Sequence, residues 1–140
     1  MRLVVDTNRI AAALIKDSTT RRIILTSRIR FVTVGLSLKE IKRYKAEFLE
    51  KAKISEVEFY KILALLFEKI DIADDIVIAD RMADARRIMD NIDKDDTKFI
   101  ALALAVENDG IWSEDRHFFM QKTIKTWNTI DILGFLGWQN

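Results

Sequence analysis

Four acidic side chains stand where short apolar segments give way to a turn or a helix. Asp6 follows Leu3-Val4-Val5, Glu40 lies a few residues after Phe31-Val32-Thr33-Val34, Asp96 precedes the apolar residues 99–106, and Asp115 follows Ile111-Trp112-Ser113. In open parallel α/β sheets, ligands sit beyond the carboxyl ends of the strands, so acids in these positions have a route to one another. Carboxylates brought within a few ångströms repel and raise each other's pKa, and a cation resolves the conflict. There is no cysteine and only one histidine, which rules out disulfides, thiolate zinc, a cysteine nucleophile and a multi-histidine metal site within the chain. An oxygen-ligated ion, Mg²⁺ or Mn²⁺, is the chemistry that remains for these four residues.

Each acid also has a structural explanation. Asp6 suits an N-cap for a helix starting at Thr7, and Asp95 or Asp96 suits one for the helix carrying Phe99. Ser37-Leu38-Lys39-Glu40 reads as a capping box, with Glu40 opposite the Leu38 and Ile41 stripe. Asp115 fits a turn before Arg116 and Phe118. Spacing alone leaves both explanations open.

The positioning elements follow from periodicity. Residues 2–5 read as a buried strand opening into a helix over 7–15, with a second helix over 18–27. A second strand over 31–34 turns at Gly35 into a helix running to about residue 53. Ser55 and Glu58 form a capping-box pattern, and the helix they open is expected to bury Val57, Ile62, Leu65, Leu66 and Ile70. Residues 70–78 hold at most a short strand, and 81–92 has amphipathic spacing. Residues 99–106 are apolar all round and belong to a buried helix. Short strands over 110–113 and 125–127 and a last helix over 129–136 complete the pattern. Strands alternating with helices predict a mostly parallel sheet covered on both faces, an α/β three-layer sandwich.

With 140 residues, 49% hydrophobic, no proline and four glycines, the chain shows no linker, and a single domain over 1–140 is expected. Its longest apolar run, residues 99–106, is far short of the roughly 18 residues a spanning helix needs, so a cytoplasmic protein without a membrane partner is expected. The net charge of +1 hides an asymmetry: residues 1–70 carry 15 basic and 8 acidic side chains, residues 71–140 carry 8 and 14. A basic surface for a polyanion beside an acidic cation site would produce this split, and so would ordinary solvated helices.

Three separated segments, in order, resemble the PIN-domain family, whose members include VapC-type toxins. Leu3-Val4-Val5-Asp6-Thr7-Asn8 is similar to the family's first strand with its metal-binding aspartate. The segment from Asp93 through Asp96 to Ala105 is similar to its aspartate-led buried helix, with Asp96 at the metal-binding position and Asp93 as an additional candidate. Trp112-Ser113-Glu114-Asp115-Arg116 looks like the late strand end with its Ser/Thr-x-Asp signature, and Glu40 occupies the position of the acid after the second strand. The likeness is weak across residues 44–91. It implies a Mg²⁺- or Mn²⁺-dependent RNA endonuclease with Asp6, Glu40, Asp96 and Asp115 as metal-binding and catalytic residues, supported by Asn8 and Ser113. It implies an RNA substrate, an antitoxin partner for a toxin-type member, and a homodimer to which Phe135 and Trp138 would contribute. His117 is assigned no catalytic role, and Arg9, Arg21, Arg22, Lys39, Lys42 and Arg43 are available to phosphates or to solvent.

Two rival enzymes fit poorly. A response-regulator receiver wants paired acids after the first strand, and a haloacid-dehalogenase-type phosphatase wants an aspartate where Asn8 stands. Glycine-rich nucleotide-binding loops are absent. The non-enzymatic alternative is a PIN-like domain that binds RNA or protein without cutting.

Overall fold

The computed structural model describes residues 1–16 and 18–139. Five strands, β1 (Arg2–Val5), β2 (Arg30–Val34), β3 (Ile70–Ala73), β4 (Ile111–Trp112) and β5 (Thr126–Trp127), form one sheet in the order β3-β2-β1-β4-β5. Every pairing is parallel, with Leu3 beside Phe31 and Val5 beside Trp112. Among the described residues, ten α-helices cover the sheet: α1 (Thr7–Ile15), α2 (Thr19–Thr26), α3 (Gly35–Arg43), α4 (Lys45–Ala52), α5 (Glu56–Lys69), α6 (Asp75–Ala79), α7 (Met82–Met89), α8 (Thr97–Ala105), α9 (Arg116–Met120) and α10 (Thr129–Leu136).

Strand alternation divides the core between two faces. Leu3, Val5, Phe31 and Trp112 pack with buried residues of α1, α2, α5 and α10, whereas Val4, Val32, Val34 and Ile111 pack with those of α6, α7, α8 and α9. Helices on both faces of a parallel sheet make the expected three-layer α/β sandwich. The chain winds outward from β1 through β2 to β3, then returns over α6, α7 and α8 to lay β4 on the other side of β1. That reversal between β1 and β4 opens a crevice at their carboxyl ends.

Four local expectations differ from the structure. Residues 70–78, expected to hold at most a short strand, carry β3 and then the short helix α6, which Asp74 caps by accepting from the Ile76 N–H. The helix expected to reach residue 53 breaks at Tyr44 (φ −98°, ψ 20°) into α3 and α4. In α5 the buried stripe is Phe59, Leu63 and Leu66, leaving Val57 at 74% exposure and Leu65 at 44%. Phe59, Leu63, Leu66 and Ile70 follow the i, i+4, i+7, i+11 helical spacing, and the Phe59 ring on that face stacks with Phe48, centroids 6.1 Å apart. The Ser37–Glu40 capping box does not form: α3 begins at Gly35 without a side-chain cap, and Ser37 is wholly buried.

Candidate functional site

Asp6 is the residue that leaves β1, and it is 3% exposed. Its Oδ1 accepts from the Arg9 backbone N–H at 2.9 Å, which caps α1, while its Oδ2 accepts from the Ser113 hydroxyl at 2.5 Å. The cap reading and the site reading therefore hold together, one oxygen each. Burial pushes the Asp6 carboxyl above its ordinary range, against the opposing pull of the Ser113 and Arg9 hydrogen bonds and the Arg9 charge. Ser113 in turn accepts from the Asp115 N–H at 2.9 Å, and Asp115 Oδ1 accepts from the His117 N–H at 3.0 Å, capping α9. One hydroxyl ties the ends of β1 and β4 together and hands the chain on to Asp115.

A second brace lies beneath. Thr33 donates to the Val5 carbonyl at 2.8 Å, Thr33 and Ser37 share a hydrogen bond at 3.2 Å, and Ser37 and Thr7 share one at 2.7 Å. These hydroxyls fix the end of β1 against β2 and α3, which is the work that keeps Ser37 from capping. Asn8, expected to support the carboxylates, is instead exposed on the wall of the cleft.

Asp93 and Asp96 arrive from the opposite side. Asp93 Oδ1 accepts from the Asp95 N–H at 2.8 Å and so caps a 3₁₀ turn over Lys94–Asp96. Asp96 occupies the N-cap position of α8 but makes no capping hydrogen bond. Its side chain is 15% exposed, and its Oδ2 is buried without a partner, as is His117 Nδ1. Burial, followed by the charges of Asp93, Asp115 and Asp6, raises the Asp96 carboxyl to about 6, with His117 opposing the rise. Glu40 stands on the far wall of an open cleft of about 350 Å³, ion-paired to Lys98 at 3.2 Å. Arg43, Tyr44, Asp95 and Phe99 also line that cleft.

Asp6, Asp96 and Asp115 thus share one electrostatic neighbourhood, with Glu40 on its rim. Among the described residues, the tight group with ligand atoms within 4.8 Å of one another is Asp93, Asp96 and His117. On sequence grounds His117 is assigned no catalytic role. Its Nδ1 lies 3.1 Å from Asp93, 3.2 Å from Asp115 and 3.6 Å from Asp96. The only signal was its position two residues after Asp115, on the first turn of a helix whose cap is Asp115.

An excess of carboxylate, one of them with an orphaned buried oxygen and a raised proton affinity, fits a divalent cation. Fold and site together define a parallel α/β protein with a cation-seeking acidic pocket at the point where its strand order reverses. A family model for the PIN domain matches residues 4–134, and the chain belongs to that family. PIN domains are generally nucleases that bind RNA and use divalent metal ions. No curated protein matches the chain. Among the described residues, no helix is long and apolar enough to cross a membrane.

The raised carboxyl has a consequence for the metal-free protein. Because Asp96 titrates near 6 when folded and near 3.8 when unfolded, the folded state binds more protons between those values. The stability this group contributes is fully present below about pH 4 and is lost as pH rises through about 6, and the raised pKa of Asp6 acts in the same sense. Thermal melts in EDTA between pH 4.5 and 7.5 are expected to show this downward component. Asp96→Asn is expected to reduce its slope, and an unchanged slope would contradict the assignment.

Proposed function

We propose that this chain is a metal-dependent RNA endonuclease, folded as one domain over residues 1–140, that works in the cytoplasm with Mg²⁺ or Mn²⁺ held by Asp6, Asp96 and Asp115. The carrying observation is the Asp96 carboxylate: it is half-buried beside Asp6, Asp93 and Asp115, its Oδ2 is enclosed without a partner, and it is unused by the helix it begins. A bound divalent ion would polarise the attacking water and offset charge building on the phosphoryl oxygens.

The chain's own residues orient and exclude. Ser113 and the Arg9 N–H hold the Asp6 carboxylate in one rotamer, so its geometry is set before substrate arrives. Glu40, kept at the rim by Lys98, orients water or a second ion across the cleft. Arg43 and Lys98 on the cleft wall present positive charge to the phosphates on either side of the scissile bond. Arg21 is committed elsewhere, donating to the Ala13 carbonyl at 2.7 Å and the Leu14 carbonyl at 3.4 Å.

The toxin of a toxin–antitoxin pair is the biological setting proposed, in which an antitoxin covers the cleft. A homodimer through the C-terminal helix would use Phe135, 41% exposed, and Trp138, each of which lies under an arginine guanidinium, of Arg28 at 5.3 Å and of Arg22 at 4.3 Å.

Purified protein is expected to cut labelled single-stranded or structured RNA with Mg²⁺ or Mn²⁺ and not with EDTA. Asp6→Asn and Asp115→Asn should each slow cleavage at least about 100-fold, the scale of several kcal/mol of lost charge stabilisation. A folded protein that binds RNA and a divalent ion but cuts no member of a broad RNA panel would instead be a binding module.

A further inference from the structure

We infer that His117 is a metal ligand: its Nδ1, with one carboxylate oxygen each from Asp93 and Asp96, forms a nitrogen-containing cation subsite that prefers Mn²⁺ to Mg²⁺. This rests on reading the acidic pocket as a metal centre, but adds a residue and an ion preference that the four-carboxylate set does not contain.

Distance supports it first. Around an octahedral ion with ligands at about 2.1 Å, neighbouring donor atoms are about 3 Å apart and opposite ones about 4.2 Å. His117 Nδ1 lies 3.1 Å from Asp93 Oδ2 and 3.6 Å from Asp96 Oδ2, and the three donor atoms lie within 4.8 Å of one another. The two separations from Nδ1 lie between those of adjacent and opposite ligands, so one ion can reach all three atoms, although 3.1 Å is equally an ion-pair distance.

Direction supports it independently. An imidazolium held in place by carboxylates would aim its N–H along the line to one of them. Despite three carboxylate oxygens within 3.6 Å, His117 Nδ1 makes no hydrogen bond, and Asp96 Oδ2 makes none either. Asp93 and Asp115 stand at ion-pair distance from Nδ1, but Asp96 Oδ2, 3.6 Å away and without a hydrogen-bond partner, is the oxygen that a cation shared with the imidazole would satisfy.

The frame is also set without a ligand. Asp93 is fixed by capping the 3₁₀ turn through its other oxygen, and the His117 backbone is fixed by the Asp115 cap. The Asp93 carboxylate therefore has little rotamer freedom to lose on binding, and the backbone that presents His117 is held in place. An imidazole nitrogen is a softer donor than carboxylate, so a transition ion gains more from it than Mg²⁺ does.

The test uses the full chain loaded with Mn²⁺. Pulsed electron paramagnetic resonance is expected to show ¹⁴N coupling from one directly bound nitrogen, absent from His117→Gln and His117→Ala, with circular dichroism confirming that both variants fold. By calorimetry, each variant should weaken Mn²⁺ binding at least about tenfold while changing Mg²⁺ binding less than about twofold. Absence of ¹⁴N coupling in the wild-type protein overturns the inference without reference to any variant, as do equal losses for the two ions. If Mn²⁺ binds without nitrogen coupling and Asp6→Asn still abolishes cleavage, the nuclease reading stands and His117 is no ligand. If neither ion binds, both readings fail.

Discussion

Asp96→Asn is expected to abolish metal-dependent RNA cleavage while making the metal-free protein more stable. The two effects share one cause. At neutral pH the Asp96 carboxylate is held ionised among Asp93, Asp115 and Asp6 although its surroundings raise its pKa to about 6. A shift of that size corresponds to at most about 3 kcal/mol, which solvent screening reduces to about 1–2 kcal/mol. Asparagine keeps the shape and removes the charge, so in EDTA the melting temperature should rise by about 3–6 °C. The same substitution removes the orphaned anionic oxygen that a cation would satisfy, so Mg²⁺ and Mn²⁺ should no longer raise the melting temperature, and cleavage should fall at least about 100-fold. If the proposed metal centre is correct, charge repulsion retained there for function would produce this opposition of stability and activity. A variant that loses stability in EDTA would show Asp96 to be a structural residue, and a variant that cuts RNA at the wild-type rate would remove it from the metal centre.

The parts of this architecture legible in the sequence are those governed by short-range rules. β1 and α10 appear where alternation, capping and apolar runs placed them, and α8 is buried because residues 99–103 offer no polar face to water. Where two local signals competed, tertiary packing decided. Ser37 and Glu40 have capping-box spacing, yet Ser37 is drawn into the hydroxyl chain with Thr33 and Thr7, and Glu40 turns to Lys98, 58 residues away. Neither partner is visible to a rule that looks three residues ahead.

The candidate site divides in the same way. Asp6, Asp96 and Asp115 each follow a strand or begin a helix, and that position can be read from sequence. His117 joins them because α9 turns its imidazole back over the 3₁₀ turn that Asp93 caps, a contact between residues 24 positions apart. A single histidine after a turn carries no periodic signal, and its chemistry emerges only when the turn of α9 and the turn before α8 are seen side by side. Asp93 was visible as an acid three residues before Asp96, but its division into one capping oxygen and one site oxygen was not.

The dependence of the site on the sheet gives a second large effect, at a residue that touches no carboxylate. Gly110 precedes β4 with φ +133°, a conformation that L side chains rarely adopt, and a Cβ built there would lie 2.4 Å from the Lys125 carbonyl and 2.9 Å from the Trp127 ring. The Lys125 carbonyl cannot retreat freely because it accepts from the Ile111 N–H at 2.9 Å, and Ser113 N–H donates to Trp127 at 3.0 Å one step further along. Gly110→Ala must therefore either strain the backbone or push β5 away from β4. Backbone strain of about 1–3 kcal/mol and a steric clash of similar size predict a loss of about 3–5 kcal/mol, read as a lower urea midpoint with unchanged slope. Because β4 delivers Ser113 to Asp6 and leads on to Asp115, displacement of that strand should also weaken divalent-ion binding. Gly134→Ala is the matched control: in α10 its added methyl meets nothing within 4 Å, and alanine's higher helix propensity should leave stability unchanged or raise it by up to about 1 kcal/mol. Equal midpoints for Gly110→Ala and wild type would mean that β4 and β5 can separate without consequence, and the carboxylates at the end of β4 would then need some other support.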